Sequence, residues 1–332
     1  MNNKGMAITT VIYSIILLLS LCMFLALGIL RSEYTNDKQY ILDLREELND
    51  WLKGDEESYG VDKIIKQTGN KDNSGLYTIT HPADSTLQIG ATESITEYRY
   101  RGKVPKNYVT FNNEVWRIIG VFPVDDGNGN IENRIKLVKD QSIGERYWDE
   151  DTDYSNNWAG PATLNTELNT TYLNSLDNIA QSMIGNTKYY LGGYNNSIKI
   201  QKDVMYQYER KINGSTYYNG SNSNNFIGKL GLMYASDYGY AASDECIQNL
   251  YSYDNATCEN NNWLFKGNNE WILPQGVSNS LSAFNVNSGG RVYNDGAVSG
   301  GQSGVRPVLY LTSNVQITSG TGTSTDPYKL SI

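Results

Sequence analysis

The sequence predicts an α+β protein: a long N-terminal transmembrane and stalk helix, followed by a β-rich head with short helices and long loops. Three observations predict it. Residues Ala7 to Leu30 form an apolar run of 24 residues without a charge. As a helix that run would extend about 36 Å, enough to cross a hydrocarbon core roughly 30 Å thick. Residues Arg31 to Lys53 hold no Pro or Gly, and Tyr34, Ile41, Leu44, Leu48 and Trp51 recur at helical spacings that make one apolar stripe. After Gly54 the chain turns polar and rich in Tyr, Asn and Gly, with short β-patterned runs between turn residues.

In order, the chain reads as a leader (1–5), a transmembrane helix (6–30), an amphipathic stalk helix (31–54), a linker with a small β region (55–105) and a surface domain (106–332). Lys4 before the apolar run, against Arg31 and Glu33 after it, gives a weak bias toward an N-terminus inside and a C-terminus outside. The expected location is the cell membrane, crossed once, with the large domain extracellular. A cleaved secretory signal is the rival, since Ala26-Leu27-Gly28 is a small-x-small site. The run outlasts the roughly 7–15 residues of a signal core, and Ile29-Leu30 continue it past that site.

Within 55–105, strands are expected at Leu76–Thr80, Thr86–Ile89 and Ile95–Tyr100, with a turn at His81-Pro82 and His81 in solvent. Tyr108–Phe111 and Val115–Val121 flank Asn112-Asn113-Glu114 as a hairpin. Residues 125–130 read as a loop and Ile135–Val138 as a strand. Leu164, Leu168, Tyr172 and Leu176 lie four apart, so Thr163–Leu176 is an amphipathic helix. Leu230–Ser236 reads as a strand and Ala241–Cys246 as a short helical turn. Trp271–Leu273 and Val305–Leu311 are strands, the latter placed at an edge or bulge by Pro307. Trp116, Trp263 and Trp271 read as core anchors.

The net charge of −9 argues against a nucleic-acid partner, which wants a basic patch. Twenty-six Tyr with abundant Asn, Ser and Gly suit a binding domain, because Tyr and Asn supply amphipathic area and adaptable hydrogen bonds. Codon bias alone can produce the same composition. Cys22 packs within the apolar run. Cys246 and Cys258 remain, either as free thiols or as one disulfide, which an exported chain favours.

Catalytic constellations are sparse. A single His excludes multi-His metal sites and His-based triads beyond His81 itself. Asp126-x-Asn128-x-Asn130 begins like a calcium loop, but Ile131 and Leu137 stand where Gly and Glu belong, which leaves a turn with Asx hydrogen bonds. Asp149-Glu150-Asp151 with Asp153 reads as a solvated loop. No cofactor and no enzymatic activity are expected.

Two resemblances sharpen the expectation. Lys4-Gly5-Met6 before a long apolar helix that turns amphipathic resembles type IV pilins and the pseudopilins of type II secretion. That resemblance implies cleavage between Gly5 and Met6, an N-methylated Met6 and other pilin-like subunits as partners. The family's Glu at the fifth mature position is Thr10 here. From about Lys106 to Ile332, the ordered set Val115–Gly120, Gly231–Tyr234, Asn262–Leu264, Trp271–Pro274 and Gly304–Leu309 is similar to uncharacterised bacterial surface domains of the C-type-lectin-like fold shared with formylglycine-generating enzymes. Calcium-type sugar binding is not implied, since neither Glu-Pro-Asn nor Gln-Pro-Asp occurs. The resemblance implies ligand contacts in the loops before the last strand, where Tyr293, Asn294 and Asp295 lie. Trp148 and Trp158, in polar loops, are further candidates for exposed contacts. Arg306 is either a structural ion pair or a ligand contact. The expected function is a surface-displayed module binding an extracellular protein or glycan, with a minor pilin or pseudopilin subunit as the first alternative and an envelope enzyme as the second.

Overall fold

The computed structural model describes Val11, residues 13–20, Met23, and residues 59–69, 74–150, 155–195, 199–220, 222–295 and 301–332. The chain divides into two compact units, Met1–Glu57 and Ser58–Ile332. In the first, residues 13–20 are helical and exposed. Among the described residues no helix is long and apolar enough to cross a membrane. This corrects both the expected fold class and the expected location. The long transmembrane helix, and single-pass anchoring with it, are therefore not supported. The leader, the Gly5–Met6 junction, Thr10, Cys22 and the stalk at 31–54 lie outside the described residues.

The second unit is β-rich with short helices. It opens on α1 (Gly60–Ile65), which sends Val61 and Ile64 into the core. Next come β1 (Gly75–His81), β2 (Ile95–Arg101), β3 (Tyr108–Phe111), β4 (Glu114–Asp125), β5 (Ile131–Lys139) and β6 (Glu145–Arg146). Helices α2 (Thr163–Glu167) and α3 (Leu173–Ser175) flank a π turn, and α4 (Asn178–Met183) follows. Then come β7 (Thr187–Tyr190), α5 (Lys202–Glu209), β8 (Asn225–Gly228), β9 (Leu230–Gly231), α6 (Ala235–Ala241) and α7 (Ala256–Glu259). The chain ends with β10 (Glu270–Gln275), β11 (Ala283–Val286), β12 (Val292–Asp295), β13 (Ser303–Gly304), β14 (Val308–Tyr310), β15 (Gln316–Ser319) and β16 (Tyr328–Ser331).

Among the described residues a nine-stranded sheet runs β15-β16-β3-β4-β5-β14-β9, with β2 also on β4 and β1 on β2. A five-stranded sheet runs β12-β11-β10-β13-β6, and β7 pairs with β8. The hairpin at 108–121 forms as expected. Asn112 and Asn113 both take positive φ, 52° and 58°, the mirror-image turn that matches strand twist. Because β2 pairs with β4 at Tyr98↔Val121 and Arg99↔Gly120, residues 75–105 are no linker; they belong to the same unit as the head. Gly120 permits that pairing, since a Cβ there would strike the Tyr98 carbonyl.

Four further expectations change. The helix at 163–176 is interrupted by the π turn Leu168–Tyr172. There Asn169 Oδ1 accepts from the backbone N–H of Lys229 and Leu230, and its Nδ2 donates to Leu230 O, covering the exposed edge of β9. The strand at 230–236 stops at Gly231, because Asp237 Oδ2 accepts from Tyr234 N at 2.9 Å and starts α6 instead. β14 is an interior strand between β5 and β9, not an edge. Pro307 sits just ahead of it and contributes only its carbonyl, to Lys139 N, so its missing N–H removes no ladder bond. No strand forms at 86–89, where Asp84 Oδ1 holds Thr86 in a turn.

Trp148 and Trp158 were expected at the surface, yet both are 0 % exposed. Their rings meet at 5.1 Å, and Trp148 meets Trp271 at 5.8 Å. Polar neighbours allow this. Asp149 Oδ1 accepts from Thr163 N and Oγ1, and Asn156 Nδ2 donates to the carbonyls of Gly276, Asn279 and Ser282. The loop's polar side chains are spent on groups elsewhere in the fold, and the rings go inward. Trp116, Trp263 and Trp271 are buried as expected.

Candidate binding surface

Cys246 and Cys258 form a disulfide, and both are buried. The loop they close carries Leu250, Tyr251, Tyr253 and Asp254. Leu250 and Tyr253 are fully buried and pin it down. The Tyr253 hydroxyl donates to Gly239 O at 3.0 Å, and its ring lies 5.8 Å from that of Tyr238. The Tyr238 hydroxyl in turn donates to Gly290 O at 2.9 Å, in the turn between β11 and β12. That turn is held by Asn287, whose Oδ1 accepts from Gly289 N and Arg291 N. One buried tyrosine on α6 thus fixes both the disulfide loop and the β11–β12 hairpin.

What the two segments leave outside is aromatic and charged. Tyr293 on β12 is 43 % exposed, and its ring lies 6.4 Å from that of Tyr251. Arg291 stands over Tyr251, 5.3 Å from the ring centroid, and donates Nε to Asp254 Oδ2 at 2.7 Å. The hydrogen bond and charge of Asp254 raise the Arg291 pKa, so the guanidinium stays charged. Lys199 Nζ lies 5.4 Å from the Tyr251 ring. Asn294 is half-buried beside Tyr293, and Asp295 pairs with Ala283 at the end of β12. Two amphipathic rings with a fixed cation–anion pair can stack on an apolar face and hydrogen-bond at its rim.

Arg306 lies elsewhere. It is 3 % exposed, and its Nη2 donates to Glu270 Oε2 at 2.6 Å and to Leu264 O at 2.7 Å. Of its two expected roles, the ion pair is the one observed. The loop at 125–130 forms the expected Asx bonds, with Asp126 Oδ1 accepting from Asn128 N and Asn130 N. Gly5 and Met6 lie outside the described residues.

Sequence reasoning missed a buried charge cluster under the large sheet. Glu97 and Arg99 come from β2, Lys136 from β5, Glu209 and Arg210 from the end of α5, and Asp237 from α6. Arg99 bridges Glu97 at 2.7 Å and Asp237 at 2.8 Å, and Lys136 Nζ meets Asp237 Oδ2 at 2.5 Å. Arg210 pairs with Glu209, which also takes the Ser236 hydroxyl. His81 joins them. Expected in solvent, it is only 7 % exposed, because its ring finds Tyr206 to stack on and Glu97 to bond. Burial pushes Glu97 up, but Arg99 and then His81 outweigh it and hold the carboxyl well below its usual range. Burial pushes Glu209 up despite Arg210, and brings Lys136 down to about 8. The one visible signal was Glu97, Arg99 and Arg101 at period two, which places three charges on a single strand face.

The cluster is sealed. The cavity beside it, lined by Glu97, Tyr206, Arg210 and Tyr234 among others, is about 20 Å³, room for one water molecule. Among the described residues no group of three His, Cys, Asp or Glu could hold a metal ion. No protein-family model, no curated protein and no solved structure matches this chain.

Proposed function

We propose that residues 58–332 form a binding domain, not an enzyme, that takes a glycan or protein ligand on the surface built by Tyr251 and Tyr293. The observation that carries this is the pairing of exposed Tyr293 with half-buried Tyr251 beside the Arg291–Asp254 ion pair, on two segments fixed from beneath by Tyr238. Tyr and Arg dominate binding energy at interfaces because each offers large contact area and directed polar atoms. The strongly perturbed titratable groups cluster instead around a cavity too small for a substrate, where each charge already has a partner. The disulfide suits an oxidising compartment, where such ligands are met.

The test is binding to immobilised glycans and to candidate protein ligands, comparing the unaltered chain with Tyr251→Ala and Tyr293→Ala. Loss of binding at an unchanged thermal midpoint supports the reading. Ligand capture that survives both substitutions overturns it.

A further inference from the structure

We propose that Lys136 and Asp237 condense into a side-chain amide, an intramolecular cross-link between β5 and α6. This rests on the core and is independent of the ligand surface. Among the Lys–carboxylate pairs of the described residues, this is the one in which both side chains are wholly buried, 0 % and 0 %. Lys139, Lys188, Lys211 and Lys266 all keep 12 % or more of their side chains in solvent. The other pairs can exchange with water. This one is held in contact for the life of the fold.

The surroundings favour condensation over hydrolysis. Three rings close around Nζ: Tyr234 at 4.4 Å, Tyr310 at 5.0 Å and Phe122 at 5.5 Å. They keep bulk water from Nζ, and the cavity of about 20 Å³ that they help to line has room for one water molecule. An ammonium carries three N–H donors, yet among the described residues the hydrogen bond Lys136 makes is to Asp237. An amide nitrogen carries one. On the other partner, Asp237 Oδ1 accepts from Arg99 Nη1 at 2.8 Å and Oδ2 accepts from Tyr234 N at 2.9 Å. Those donors polarise the carboxyl and can hold the oxyanion that forms when Nζ attacks Cγ. Holding two reacting groups in contact replaces a bimolecular encounter with an intramolecular one.

The step balances without a co-reactant. The pair starts as ammonium and carboxylate. The N–C bond forms, one C–O bond breaks, and two of the three protons on Nζ leave with that oxygen as water. The third proton stays on the amide nitrogen; Oδ2, the oxygen Lys136 contacts, leaves, and Oδ1 becomes the carbonyl that still accepts from Arg99. Burial brings Lys136 down to about 8, and the proton it gives up passes to Asp237, whose carboxyl burial pushes up and Lys136 and Arg99 bring down. The cluster also stays neutral. Before the step, Arg99, Lys136 and Arg210 face Glu97, Glu209 and Asp237; afterwards Arg99 and Arg210 face Glu97 and Glu209. No buried charge is stranded, which is the condition for removing an ion pair without a large penalty.

The experiment is the intact mass of the purified full chain, reduced and denatured, followed by a protease digest. The expected result is a chain lighter by one water than its sequence. The digest should contain a branched peptide joining the Lys136 and Asp237 segments, and Lys136→Arg should return the mass to the sequence value. An unaltered chain at full sequence mass overturns the proposal, as does a lost water that maps to peptides lacking either residue. Because the decisive measurement is on the unaltered protein, a poorly folding variant does not blunt it.

Discussion

His81 lies flat on Tyr206, with ring centroids 3.5 Å apart and planes 3° from parallel. Its Nε2 is 3.2 Å from Glu97 Oε2, and Arg210 stacks on Tyr206, 3.6 Å from the ring centroid. A residue beside a proline in a polar stretch thereby ties β1 to α5 and to the charge cluster. His81→Ala is expected to destabilise the second unit by about 1–3 kcal/mol, from a lost stacked pair and a weakened buried carboxylate. Urea unfolding checks this. A midpoint equal to that of the unaltered chain would mean that the ring contributes nothing where it is placed.

Acid should weaken the fold through Glu97. Its folded pKa is depressed below the ordinary 4.5, since Arg99 and His81 outweigh burial. A carboxyl depressed in the folded state adds stability that is complete above its unfolded pKa and is lost as pH falls through the folded value. Glu209 has the opposite sign. Burial raises its folded pKa above 4.5, so its contribution is full below 4.5 and is lost as pH rises. Below about pH 4.5 only the loss from Glu97 remains between these two. The thermal midpoint is therefore expected to drop on going from about pH 4.5 to about pH 3. A midpoint that holds level or rises over that interval would contradict the assignment.

The contrast between legible and hidden parts has a physical basis. The hairpin at 108–121 could be read because alternating apolar residues and an Asn-Asn turn are local signals. The disulfide could be read because two cysteines leave one pairing. The exposure of Tyr293 could be read from its setting of small polar residues. Trp148, Trp158 and His81 could not. Their burial depends on partners from distant stretches: Trp271 packs on Trp148, which in turn packs on Trp158, and Tyr206 and Glu97 receive His81. The interior place of β14 was hidden for the same reason, since only pairing with β9 decides it. The burial of the β2 charges could not be read either, because a charge goes inside only when its counter-charge arrives there, and Asp237 stands 138 residues from Arg99.

Tryptophan and tyrosine substitutions should separate core from surface. Trp148→Ala removes a ring packed against Trp158 and Trp271 and should cost about 3–5 kcal/mol. Tyr293→Ala removes an exposed ring and should shift stability by no more than about 0.5 kcal/mol. Denaturant unfolding of both variants checks the pair. If Tyr293→Ala proved the more damaging, the two rings would have exchanged the roles argued for them.

The disulfide closes the loop that carries Tyr251 and Asp254, so its removal should show a global and a local effect. In the chain-entropy view, closing a loop of this length stabilises by roughly 2–3 kcal/mol. Replacing Cys246 and Cys258 together by Ser should lower stability by that amount. The larger effect should be local. Tyr253 and Leu250 still anchor the loop from below, but Tyr251 and Asp254 lie between the cysteines and depend on its closure for their position beside Tyr293 and Arg291. Hydrogen exchange should therefore quicken at residues 247–257 well before it does at β4 or β5. Uniform quickening across the second unit would show instead that the bond acts only on global stability and does not hold the Tyr251 edge of the surface in place.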